Sequence, residues 1–197
     1  MEDLIILGLD IHALEVIDMI DRAGVYRFAG LVCESPPHPP NFYGHPVLGS
    51  TSGLVNLRGV KKVPMHTWKD RDDKTDWVSV VAPSAFIASS AVVGRGTIIY
   101  PNCFVGASAR LGDGVFMLSG SVINHDCAID DDVIITSGVT LAGGVKIKSG
   151  AYLGQACAVR QNLTVGEKSF IGMGAVVTKD VPDRTTVTGC PARPYYK

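Results

Sequence analysis

The chain lacks the marks of several common protein classes. It has 18 Lys and Arg against 19 Asp and Glu, a formal net charge of −1, and no basic run interleaved with aromatics. That balance argues against a nucleic acid or an anionic membrane as the main partner. No apolar run approaches the length needed to cross a bilayer, so membrane insertion is not expected. The opening Met1-Glu2-Asp3-Leu4 is acidic and runs straight into a strand pattern, so a signal peptide is not expected. The five cysteines show no C-x-x-C spacing. Cys103, Cys127 and Cys157 read as buried thiols of a reducing cytoplasm, neither ligands nor disulfides. Of five histidines only His125 lies in the repeat described next, so a three-histidine zinc site is not available there and no metal is expected.

What the chain does have is a six-residue repeat, unbroken from Ile87 to Pro182. Its first position reads Ile87, Val93, Ile99, Val105, Leu111, Met117, Ile123, Ile129, Ile135, Leu141, Ile147, Leu153, Val159, Val165, Ile171 and Val177. The second position is often Gly (Gly94, Gly106, Gly112, Gly154, Gly166, Gly172), and the fifth is small or aliphatic. Hexads of this kind predict a parallel β-helix, in which stacked coils bury one continuous core. Each hexad is a short strand and a corner, with the first and fifth residues pointing inward. Three hexads per coil give about five coils. A Gly or Asn at a corner relieves strain where φ turns positive. Cys103, Cys127 and Cys157 all fall on the fifth position, where a small core residue is wanted.

The first 60 residues follow a different pattern. Leu4-Ile5-Ile6-Leu7-Gly8 predicts a buried strand, His12 to Ile20 carries apolar residues at helical spacing, and Phe28 to Val32 predicts a second strand. This β-α-β order predicts a parallel sheet and a small Rossmann-like α/β domain. Ser35 to Pro40 reads as a proline-rich loop, residues 58–76 as a linker or short peripheral elements, and Asp70 to Asp76 as a solvated turn. The expected division is 1–80 for the Rossmann-like unit and 81–197 for the β-helix with its tail.

His125 occupies the third position of Ile123-Asn124-His125-Asp126-Cys127, which faces outward near a corner. Imidazole titrates near neutral pH, so an outward His followed by a carboxylate suits a general base. A surface His with an incidental neighbour is the alternative.

Several segments together carry a resemblance. They are Ile5 to Ala13; Gly30-Leu31-Val32 with Glu34; Pro46 to Gly49; Ile123 to Cys127; Leu141 to Val145; Ile171 to Pro182; and Gly189-Cys190-Pro191-Ala192-Arg193. In these the chain resembles the hexapeptide-repeat sugar O-acyltransferase family, which includes sialic acid O-acetyltransferases and N-acetyltransferases of nucleotide-linked 4-amino sugars. The resemblance implies a left-handed β-helix, assembly as a homotrimer, and acetyl-CoA as acyl donor. It implies that His125 is the base and that Asp126 holds the imidazole in orientation. The implied CoA contacts are Ile134, Gly143, Gln155 and Met173, with Arg193 for a CoA phosphate and the Gly143 N–H as oxyanion donor. The acceptor would be a small-molecule sugar, nucleotide-linked or, given the altered turn from Gly8 to His12, without a nucleotide, meeting the N-terminal unit at Asp10, Ile11, His12 and Glu34. The turn Gly8-Leu9-Asp10-Ile11-His12 departs from the family's glycine-rich form. Asp10 brings a negative charge, and Ile11 a β-branched side chain, to the place where a diphosphate would approach. The expected function is acetyl transfer to an amino group, or a hydroxyl, of a sugar for surface glycan synthesis. A non-catalytic β-helix that binds a partner is the competing expectation.

Overall fold

The structure is a computed structural model and describes residues 1–34, 37–50, 60–66 and 75–195. Most of the expected linker over 58–76, the Asp70–Asp76 turn and part of the Ser35–Pro40 loop lie outside the described residues.

The N-terminal unit contains β1 (Glu2–Leu7), α1 (Ile11–Ala23), β2 (Tyr26–Cys33), β3 (Asn41–Phe42), β4 (His45–Ser50) and β5 (Lys61–Pro64). Their sheet runs in the order β3-β4-β2-β1-β5. β1 pairs in parallel with both β2 and β5, and β2 in parallel with β4. Leu4, Ile5, Ile6 and Leu7 are all buried, as expected for a central parallel strand covered on both faces. α1 buries Ala13, Val16, Ile17, Met19 and Ile20 on one stripe. The Asp10 carboxylate caps its start by accepting the Ala13 N–H at 3.1 Å. Gly24 ends it in the left-handed region, its N–H donating to the Ile20 carbonyl.

The hexads form a solenoid. Each contributes a two-residue strand at its sixth and first positions, such as Val122–Ile123, and strands 18 residues apart pair in parallel. Three faces of six, five and eight strands result. The longest face exceeds the expected five coils because Val80–Val81 precedes the sixteen hexads, while Thr186–Thr188 and Arg193–Pro194 follow them. First-position residues from Ile99 to Ile171 are buried, and so are the fifth-position residues. Where the fifth residue is polar its hydrogen is used. Thr97, Ser121 and Ser169 donate to the carbonyls of Gly112, Thr136 and Pro182, and the Cys103 and Cys127 thiols point at those of Leu118 and Ala142. Burial pushes the Cys157 thiol up to about 12 and raises Cys103 and Cys127 as well. These thiols are core residues, not nucleophiles.

Positive φ falls on the fourth position of the hexad, at residues such as Asn102, Asp126, Gly144 and Asn162. Each of these N–H groups bonds one coil earlier: Asp126 to the Ala107 carbonyl at 2.9 Å, Gly144 to that of His125 at 3.0 Å, Asn162 to that of Gly143 at 3.0 Å, and Asn102 to the Ser84 hydroxyl at 3.3 Å. The second-position glycines serve a different need. A Cβ on Gly106 would lie 2.8 Å from the His125 nitrogen, and one on Gly154 2.7 Å from that of Met173. They let successive coils approach to the roughly 4.8 Å spacing of paired strands.

The two units share one core, in which α1 packs on the first coils. The Tyr100 hydroxyl donates to the His12 carbonyl at 3.3 Å. No described helix is long and apolar enough to cross a membrane.

Candidate active site

His125 stands at the corner between the strands Val122–Ile123 and Ala128–Ile129. The inward Ile123 and Cys127 lock its backbone, and the side chain is left 68% exposed. The left-handed backbone of Asp126 (φ 60°) turns its carboxylate back, and Oδ2 lies 2.8 Å from His125 Nδ1. Since a carboxylate only accepts, this contact selects the Nδ1–H tautomer and leaves the Nε2 lone pair free. The pair thus holds a base with its acceptor nitrogen unpaired among the described residues.

Gly143 lies one coil further along the same corner. A Cβ there would come within 2.6 Å of both Cε1 and Nε2 of His125. Only glycine lets the imidazole lie against this corner, a constraint that the repeat pattern alone does not reveal. At another corner the matching N–H groups are consumed: Arg95 donates to Asp113 and Asp113 to Asp131, both at 2.7 Å. The Gly143 N–H has no hydrogen-bond partner among the described residues. A free donor beside the imidazole is available to an oxyanion.

The remaining sequence-predicted residues are spread out. Gln155 and Met173 stack on a different corner, where the Gly174 N–H donates to the Gln155 carbonyl at 2.8 Å; Met173 is 76% exposed. Ile134 is half-buried on the face leading to that corner, paired with Phe116 and Tyr152. Arg193 lies in the C-terminal hairpin, where it donates to the Ala192 carbonyl and lines a cavity of about 290 Å³ with Lys179 and Asp180. Within one copy of the chain, therefore, His125, Asp126 and Gly143 come together, and Gln155, Met173 and Arg193 do not join them.

The N-terminal residues meet where α1 touches the solenoid. Ile11 opens the helix exposed, and Glu34 follows β2 at its C-terminal end. His12 Nδ1 is 3.0 Å from Glu15 Oε2, and its ring stands edge-on to His66, Tyr100 and Phe116. His66 tilts over Phe116 with centroids 4.6 Å apart. Its Nδ1 and the second oxygen of Asp10 are 3.9 Å apart, both buried without a hydrogen-bond partner among the described residues. Burial holds the His66 pKa below the usual histidine value; Asp10 opposes this and His12 adds to it. The feature that sequence reasoning missed is a cavity of about 490 Å³ between α1 and the corner formed by Pro83, Pro101 and Ser119. Its only sequence signal is the polar series Glu15, Asp18 and Arg22 along one side of the helix.

Residues 78–187 match the family described as the GMPPB C-terminal domain. The acetyltransferase domain of PglB from Neisseria gonorrhoeae FA1090 superposes with a TM-score of 0.88 at 27% identity, covering 99% of this chain and 100% of that one. That domain also has a structure in complex with acetyl coenzyme A. GDP-perosamine N-acetyltransferase from Caulobacter crescentus, with a histidine changed to alanine and in complex with CoA and GDP-perosamine, superposes at 0.91 with 26% identity, covering 100% and 98%. Among curated proteins, mitochondrial serine acetyltransferase 3 of Arabidopsis thaliana is 46% identical over 48 residues, 24% of this chain and 12% of that one. The chain spans about a quarter or less of the length of the curated relatives it matches. The structural neighbours are left-handed β-helices, and this chain has their fold. With more than half of its length matched, the chain belongs to the family described as the GMPPB C-terminal domain, and its structural neighbours are acetyltransferases of the hexapeptide-repeat family.

Proposed function

We propose that this chain transfers the acetyl group of acetyl-CoA to the amino group of a sugar destined for surface glycans. The observation that carries this reading is the His125–Asp126 pair, with Nε2 free and packed against Gly143, in a fold whose full-length neighbours are named as a sugar N-acetyltransferase and an acetyltransferase domain.

The acceptor amine attacks the thioester carbonyl carbon. The Gly143 N–H donates to the oxygen as it gains negative charge. Nε2 of His125 takes the proton that the nitrogen loses, and Asp126 holds the imidazolium that forms. When the C–S bond breaks, that proton goes to the departing thiolate, giving the amide and CoA. An amine attacks before it is deprotonated, whereas a hydroxyl needs the base first; N-acetylation is therefore the better fit.

Ile134, Gly143, Gln155 and Met173 suit an apolar chain with amide groups, and Arg193 a phosphate of CoA. Since Gln155 and Met173 sit on a different corner from His125, one copy would supply the base and its neighbour these contacts. A homotrimer sets unlike corners side by side. Residues 1–80 would hold the acceptor, nucleotide-linked as in the C. crescentus protein, near Asp10, Ile11, His12 and Glu34, and residues 81–197 would carry the chemistry. The buried free thiols suit the reducing cytoplasm.

The test follows thiol release from acetyl-CoA against nucleotide-linked amino sugars and free sugars. Release with an amino sugar, from a species of about three times the chain mass, is expected. No release with any acceptor, together with no CoA binding, would overturn the reading in favour of a non-catalytic β-helix.

A further inference from the structure

We infer that the cavity between α1 and the first coils is the binding site for the pyranose ring of the acceptor. This rests on the acetyl-transfer reading above and adds which part of the acceptor is held, and by what.

The cavity measures about 490 Å³, enough for a hexose and part of its substituent. Its floor is apolar: Met19 from α1, with Ala82, Pro83 and Pro101 from the first coils. Such a surface suits the C–H face of a sugar ring. Its rim is polar and carries both hydrogen-bond senses. Glu15 and Asp18 accept from hydroxyls, and Arg22 donates. These three recur at three- and four-residue steps and so share one side of the helix. Asp18 and Arg22 are exposed, and neither has an ion-pair partner among the described residues. Tyr100 closes the inner end. Burial first, then the nearby Glu15, drives its pKa far above the ordinary phenol value, so it remains a neutral phenol whose hydrogen is held by the His12 carbonyl.

The position of the cavity adds to its composition. Ser119 lines it. From Ser119 the same corner continues one coil at a time: Gly138 donates to the Ser119 carbonyl, Ala156 to that of Ser137 and Gly174 to that of Gln155. Gln155 is thus two coils from the cavity, roughly 10 Å at the spacing of paired strands. Met173 is one coil beyond. A donor held by Gln155 and Met173 with its thioester toward the N-terminal unit would end where the cavity opens. The groove therefore runs acceptor first and donor second along one edge.

The experiment uses full-length protein with acetyl-CoA and two probes, GDP-perosamine and free perosamine (4-amino-4,6-dideoxymannose). Wild type is compared with Asp18→Asn and Arg22→Gln, both exposed positions whose melting temperatures should stay at the wild-type value. The expected result is an acceptor KM raised at least tenfold in either variant, an unchanged KM for acetyl-CoA, and weaker perosamine binding at equilibrium without donor. Transfer in both variants with the wild-type acceptor KM would overturn the cavity assignment and leave the acetyltransferase reading standing. Perosamine binding that depends on Asp18 without any acetyl transfer would do the reverse. Loss of both would overturn the two together.

Discussion

The solenoid and the N-terminal unit dispose of their polar side chains in opposite ways. In the solenoid every third residue or so is fixed inward by the repeat, and backbone hydrogen bonds from strand to strand and at most corners tie one coil to the next. His125 and Asp126 are therefore not needed for folding, and their side chains remain more than 60% exposed. In the N-terminal unit the polar groups near the helix start are drawn into the architecture. Asp10 caps α1, His12 meets Glu15, and His66 lies half-buried against Phe116. A regular scaffold frees its outward positions for chemistry, whereas an irregular one spends them on closing ends and joints.

The widest test of this contrast strikes the regular part. Val139 is fully buried at a fifth position, and Val139→Asp would place an unpaired charge in the stacked core at a cost of several kcal/mol. Loss of the folded state in circular dichroism is expected; a cooperative melt near that of wild type would mean that the coils do not share one core. A smaller change sharpens the point. Gly143→Ala drives a methyl into the imidazole at 2.6 Å, and kcat should fall about 100-fold, the cost of misplacing a catalytic group by about 1 Å. Its melting temperature should move little, and an unchanged kcat would show that the His125 ring does not depend on this corner.

The N-terminal unit should respond in stability. Asp10→Ala removes the helix cap and should cost about 1 kcal/mol, read as a drop of roughly 2–4 °C in melting temperature for a chain of this size. No change would mean that another group caps α1. The smallest effect concerns pH. His66 is held below its ordinary pKa, so the unfolded chain binds the proton more tightly than the native one. The stability this gives is fully present above the ordinary histidine range and is lost as pH falls through it. Thermal stability should decline from pH 7.5 to 5.5, and His66→Gln should flatten that decline. Parallel profiles would remove His66 as the cause.

The division between what could and could not be read beforehand follows the same contrast. The hexad first positions spell out the coil, and an outward third position makes His125 stand out. The β1-α1-β2 order and the buried stripe of α1 follow from Leu4 to Leu7 and from Ala13, Val16, Ile17 and Ile20. Three things were not legible. The glycines at second positions look like corner residues, but they are set by the approach of the next coil, and the left-handed residues are at the fourth position. The fit of Gly143 against His125 joins residues 18 apart and needs the register. The cavity along α1 needs the docking of the helix on Pro83 and Pro101, a contact no local pattern encodes. Asp10 reads in sequence as a charge in a ligand loop; in the structure its carboxylate is a helix cap.

The most direct test of the central claim is thiol release from acetyl-CoA by wild type and His125→Ala in parallel, with the amino sugar that wild type acetylates. The account predicts a fall of at least 100-fold in kcat, within the range for losing a general base, with melting temperature unchanged because the side chain is exposed. Retained turnover in His125→Ala would contradict it.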